Sequence, residues 1–138
     1  MKERSKADLV REGYEAWNSG DREWVLKHMS PDIEWVTPPD DPDPGTFRGY
    51  EGVERFWANW RDLFGLIRFD VELVEELGDH VLVHARRLAR GQQSGVDVEE
   101  RVFQLFTFGD DGRCIRVQEF YDPERAEAIA HENVGRAD

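Results

Sequence analysis

A glutamate near the end of the chain sits where a carboxylate is out of place. In the stretch GRCIRVQEFYDPERA, residues 112 to 126, a β-strand sends alternate side chains to opposite faces of a sheet. Ile115, Val117, Glu119 and Tyr121 then share one face, and Cys114, Arg116, Gln118 and Phe120 the other. The first face is the more apolar. Glu119 therefore either borders a cavity where an acid has work to do or reaches a wet rim. Burial among aromatic rings disfavours a charged carboxylate and raises its pKa, which prepares it for general acid or base chemistry. The structural alternative is an ion pair with Arg86 or His84 on a neighbouring strand, which needs no substrate.

Other residue types could assist. His84 and Arg86 share a strand face with His80, Leu82 and Leu88. His80 and His84 form an HxxxH pair, but four residues of strand span about 13 Å, too far to share one ion. With one cysteine and no clustered ligands, no metal site is expected. Gln104 shares a face with Val102, Phe106 and Phe108. A buried amide needs partners, so it orients Glu119, holds a ligand carbonyl or is a satisfied core amide. Trp17, Trp35, Trp57 and Trp60 read as core and pocket wall together. Tyr14 and Tyr121 are candidates to orient or polarise a ligand. Cys114 reads as a small filler on the Arg116 and Gln118 face. No Gly-rich phosphate loop, nucleophile elbow or dinucleotide fingerprint is present, and no cofactor is expected.

The elements that must hold these residues follow from hydrophobic period. Leu9, Val10, Gly13, Tyr14 and Trp17 recur at helical spacing up to a break at Asn18–Asp21. A short second helix spans Arg22 to Met29. A strand from Ile33 to Thr37 leads into the Pro-rich, acidic segment Pro38 to Gly45, where Asp40, Asp41, Pro42 and Asp43 read as a solvated lip. After Gly49, Val53, Phe56, Trp57, Trp60, Leu63 and Phe64 make a wide apolar helical stripe. The period then switches to two. Ile67, Phe69, Val71 and Leu73 alternate with Arg68, Asp70 and Glu72. Short turns at Gly78-Asp79, Gly91–Gly95 and Gly109–Gly112 join strands His80–Arg90, Val96–Phe108 and Arg113–Tyr121 into an antiparallel meander. Asp122 caps a last helix that starts at Pro123. Three helices ahead of the meander predict an α+β fold, with the helices on one face of a curved antiparallel sheet.

The chain has 138 residues, enough for one domain (1–138), with a formal net charge of −12. That charge argues against nucleic acid and against anionic membrane surfaces. No apolar run is long enough for a membrane span. The start MKERSKADLV has no apolar core, so no signal peptide is expected. One cysteine excludes an internal disulfide, and the expected setting is the cytoplasm.

The ordered set YEAWNSGD (Tyr14–Asp21), DIEW (Asp32–Trp35), FRGYEGVERFW (Phe47–Trp57), RGQQSGVDVEER (Arg90–Arg101) and FTFGDDGRCIRVQEFYDPERAEA (Phe106–Ala128) resembles the SnoaL-like branch of the NTF2-like superfamily. The resemblance implies a cone-shaped α+β barrel with a pocket between the helices and the concave sheet, and a short C-terminal helix. It makes the Glu119 and Gln104 faces concave. It also implies a small hydrophobic ligand and frequent dimerisation through the convex face, where Phe103, Leu105 and Phe120 are expected to be bare; a homodimer is expected.

Function is less fixed, because the superfamily holds isomerases, cyclases, hydrolases and plain binding domains. Ketosteroid isomerase is similar in layout, but its base position is Thr37 here and its donor-acid position is Gln104. Its helix-1 tyrosine falls on or beside Gly13, with Tyr14 one residue out of phase. Limonene-1,2-epoxide hydrolase keeps a catalytic acid at the position of Glu119, yet its companion residues find only Arg101 and Gln104 nearby. Two readings stay open. One is a cofactor-independent acid/base isomerase, cyclase or hydrolase with catalytic Glu119, Gln104 and His84 and a pocket of Tyr14, Trp17, Trp35, Trp57, Trp60, Arg86, Val117 and Tyr121. The other is a non-catalytic binding or accessory domain with the same cavity.

Overall fold

A computed structural model describes residues 5–39, 41, 44–65, 67–90 and 97–136. Elements run α1 (Lys6–Asn18), α2 (Arg22–Lys27), β1 (Met29–Thr37), β2 (Gly45–Arg48), α3 (Gly49–Phe64), β3 (Ile67–Leu77), β4 (His80–Arg90), β5 (Asp97–Phe108), β6 (Cys114–Phe120) and α4 (Pro123–Arg136). The Ser5 hydroxyl caps α1 through the Asp8 N–H, and the Asp21 carboxylate caps α2 through the Trp24 N–H, each satisfying a backbone donor that the helix leaves orphaned. Gly78 and Gly112 take positive φ in their hairpin turns, a conformation that costs glycine little.

The strands form one curved sheet in the order β2-β1-β6-β5-β4-β3, so β2 and β3 are its edges and it is not a closed barrel. The expectation of an antiparallel sheet needs one change. From β3 to β6 the hairpins make every pair antiparallel, but β6 arrives beside β1 running parallel to it. No turn joins those two strands, so no hairpin dictates their relative direction. The strand β2 was not expected either. It pairs with β1 across the acidic segment, with Thr37 opposite Gly45. Asp40, Pro42, Asp43 and the Gly91–Gly95 turn lie outside the described residues, as do the side chains of Leu63 and Phe64.

Two β-bulges shift the expected alternation. Pairing of β3 with β4 slips between Val71 and Leu73. Val74 then packs on the concave core while Leu73 is turned out, 49% exposed. On β6 the slip opposite Thr107 and Phe108 leaves Ile115 and Arg116 both exposed, and Cys114, not Ile115, on the Val117 face. A bulge adds one residue and so reverses every side chain on one side of it relative to the other.

On the concave side α1 packs on β3 and α3 on β1. Val10, Tyr14, Val53, Phe56, Trp57 and Trp60 meet Val81, Val83, Ala85, Val102 and Val117 in the main core. On the convex side α4 lays the fully buried Ala126 and Ala130, four residues apart on one helix face, over Leu82, Phe103, Leu105 and Phe120. Phe103, Leu105 and Phe120 were expected to be bare and to drive dimerisation. The C-terminal helix covers them, and that argument for a dimer is lost.

Candidate functional site

Between the helices and the concave sheet lies a cavity of about 850 Å³ counted out to its mouth. Its wall is overwhelmingly aromatic and aliphatic. Tyr14, Trp17, Trp35, Trp57 and Trp60 all contribute to it, as do Gln104 and Glu119. Val117 is fully buried in the core beside Glu119 and does not line the cavity.

The polar floor is assembled by strand pairing. Gln104 on β5 and Glu119 on β6 are directly opposed, and both face inward. Tyr14 descends from the buried face of α1. Its hydroxyl donates to Gln104 Oε1, which leaves the amide nitrogen to donate to Glu119 Oε2 at 2.6 Å. The phenol thus fixes which way the amide points, and the amide fixes one oxygen of the acid. The other oxygen, Oε1, is buried without a hydrogen-bond partner among the described residues, and so is Trp35 Nε1. The Trp35 indole still lies near enough to favour the carboxylate, though not in good hydrogen-bond geometry.

Behind the acid stands Arg87, 3% exposed, on β4. Its Nη1 lies 3.8 Å from Glu119 Oε2, beyond hydrogen-bond range. Its Nε donates to Glu100 Oε1 at 2.9 Å, its Nη2 donates to Glu100 as well, and Nη2 also donates to the Tyr121 hydroxyl at 2.7 Å. The guanidinium lies 4.1 Å above the Trp60 ring, a cation–π contact. Tyr121 in turn donates to Asp41 Oδ2 at 2.5 Å. Asp41, read above as part of a solvated lip, is instead buried and belongs to this network.

Electrostatics follow from the geometry. Burial pushes the Glu119 carboxyl above the ordinary carboxylate value; Arg87 and Gln104 pull it back, and Asp41 pushes it up again. Desolvation wins because Arg87 gives its hydrogen bonds to Glu100 and Tyr121. Burial opposes the Arg87 charge, but Glu119, Tyr121 and Glu100 outweigh it and hold the guanidinium above its ordinary value. Burial, then Glu119, raises Tyr14, so the phenol stays a donor. Burial also raises Tyr121 and pushes the Cys114 thiol up to about 12. At that value Cys114 is no nucleophile, although the bulge brings it to the cavity wall.

Two expected site residues lie on the other side of the sheet. Arg86 pairs with Glu72 and Glu99, half-exposed. His84 packs edge-on against Phe103 and meets Glu75 and Glu127. Neither touches Glu119. The signal was in the alternation of HVLVHARRLAR: Val81, Val83, Ala85 and Ala89 leave Arg87 the one polar residue of its face, whereas His80, His84 and Arg86 share the other. Pairing agrees, since Val83 lies opposite the inward Gln104.

The profile of the SnoaL-like domain family matches residues 10–117. No curated protein matches the chain. Among solved structures it is similar to TerC co-crystallised with polyporic acid, at 24% identity and a TM-score of 0.75, covering 91% of this chain and 98% of that one. It is similar to a protein described as a SnoaL-like polyketide cyclase from Jannaschia sp. CCS1, at 22% identity and TM-score 0.72, covering 92% and 95%. A protein of ketosteroid isomerase-like fold from Catenulispora acidiphila, in complex with trimethylamine, matches at 14% identity and TM-score 0.73, covering 92% and 95%. At these identities the likeness is one of fold.

Proposed function

Since the chain belongs to the SnoaL-like domain family, we propose that its cavity is an active site for a small, flat hydrophobic molecule, worked by cofactor-independent acid/base chemistry at Glu119. The observation that carries this reading is the state of one side chain. Glu119 is 2% exposed, its Oε2 is held by Gln104, and its Oε1 has no hydrogen-bond partner among the described residues. A purely structural acid would be expected to satisfy both oxygens.

In this reading the protonated carboxyl donates from Oε1 to a ligand oxygen, or the carboxylate takes a proton from carbon. Its raised pKa makes the protonated form easier to hold than in an ordinary carboxylate. Gln104 and Tyr14 hold the acid in place, and Arg87 supplies a fixed positive charge against the anion that forms. The Trp-lined walls bind the apolar body and exclude water. Two solved structures of the same fold hold small molecules, polyporic acid and trimethylamine, which supports a ligand-binding use of the cavity. Reaction type is open among isomerase, cyclase and hydrolase.

The test starts with native mass spectrometry of the purified chain to find what the cavity retains. Turnover of that compound class is then compared with Glu119→Gln, which should keep the fold and lose roughly 10²-fold or more in kcat. A variant that binds the ligand as well as wild type, where wild type shows no turnover, establishes the second reading, a binding or accessory domain. The absence of the ketosteroid isomerase acids at Thr37 and Gln104 favours that alternative. A cytoplasmic homodimer completes the proposal; for pairing, the exposed Leu73 on the convex face is the remaining support. A monomer in sedimentation at micromolar concentration would remove it.

A further inference from the structure

The convex side of the sheet carries a second meeting point of chemistry-bearing side chains, which the pocket does not use. Glu75 on β3, His84 on β4 and Glu127 on α4 bring ligand atoms to within 4.8 Å of one another, all partly buried. His84 Nε2 lies 2.9 Å from Glu75 Oε2 and 3.1 Å from Glu127 Oε1. His131, one helical turn beyond Glu127, places its Nε2 3.2 Å from Glu127 Oε2. We infer that Glu75, His84 and Glu127, with His131 as a fourth ligand, form a site for one zinc-class divalent ion that pins α4 to the sheet.

The geometry favours a cation over hydrogen bonds alone. One ring nitrogen faces two carboxylates that also hydrogen-bond to each other, an approach of two acids that an ion between them would relieve. An ion at the same point serves both oxygens and the nitrogen. Bond lengths of about 2.0–2.2 Å in a tetrahedral zinc site separate neighbouring ligand atoms by roughly 3.3–3.5 Å. The His84 contacts at 2.9 and 3.1 Å fall short of that by a few tenths of an ångström; His131 reaches the second oxygen of Glu127 and must swing its ring toward His84 to join the set. His131 is largely exposed and free to turn its ring inward. Two imidazoles and two carboxylates suit zinc; magnesium and calcium take oxygen ligands almost alone. The HxxxH pair of His80 and His84 pointed the wrong way, because the donors converge from three separate elements.

Tag-free, full-length chain is titrated with zinc chloride by calorimetry, and its melting temperature is followed in parallel. One equivalent should bind with a Kd tighter than roughly 10 μM. The melting temperature should rise with zinc concentration, as for a ligand that binds only the folded state, and magnesium and calcium should leave it unchanged. His84→Gln and Glu127→Gln should each weaken binding roughly tenfold or more, and Glu124→Gln, also on α4, should not. If His84→Gln proves unfolded by circular dichroism, Glu127→Gln carries the test, since its side chain is part-exposed. Absence of saturable binding overturns the site, as does binding that survives His84→Gln or Glu127→Gln. Binding that survives His131→Gln overturns the fourth ligand.

Discussion

Glu119 shows how far a single residue can be argued. Its burial is only partly offset by Arg87, 3.8 Å away, because that guanidinium gives its hydrogen bonds to Glu100 and Tyr121 instead. The folded state therefore holds its proton to higher pH than the unfolded chain does. Stability from this group is fully present below the ordinary value of 4.5 and is lost as pH rises toward the raised folded value, because the unfolded chain ionises first. Glu119→Gln removes that penalty. Urea midpoints of the two proteins should differ little at acid pH and diverge above it, the variant gaining; parallel curves would mean that the carboxyl is not desolvated. Arg87 is the opposite case. Arg87→Met strands Glu100, Tyr121, Asp41 and Glu119 around a missing cation and should cost about 3–5 kcal/mol, read as a drop in the urea midpoint.

At the scale of elements, the period of the side chains was legible and its interruptions were not. The stripe of α3 and the alternation in β5 gave the helix and the strand, and the family resemblance gave the inward face of Gln104. Glu119 was placed correctly because it lies beyond the β6 bulge, whereas Ile115 and Cys114 lie before it and were assigned to each other's faces. The β3 bulge did the same to Leu73. Nothing in the local sequence marks these slips, which depend on how two strands meet. Pairing of β2 and the parallel β1–β6 contact are long-range for the same reason. The role of α4 was missed because it was expected to be short, whereas it runs 14 residues, and a charged helix does not announce that two alanines will pack on a sheet face. Ala130→Glu should lift α4 and uncover Leu82, Phe103, Leu105 and Phe120, an apolar patch that promotes association. Sedimentation should then show self-association beyond wild type; an unchanged profile would mean that α4 contributes little cover.

At the scale of the whole molecule, charge and cavity act together on what can enter. The pocket wall is apolar, so affinity for a neutral ring system comes from burying its surface and should be nearly indifferent to salt. The chain as a whole carries −12, and a field of that sign repels an approaching anion until counterions screen it, over about 10 Å at 0.1 M salt. Selection against anions is thus imposed at a distance, before any contact with Trp35 or Glu119, and a raised Glu119 pKa adds no charge that would favour cations once inside. Two fluorescent probes separate these effects: anionic anilinonaphthalene sulfonate and the neutral N-phenylnaphthylamine. Raising sodium chloride from 10 to about 300 mM should increase the association rate of the anionic probe several-fold and leave the neutral one unchanged within error. Equal responses would show that the acidic surface lies away from the mouth and that the pocket alone sets selectivity.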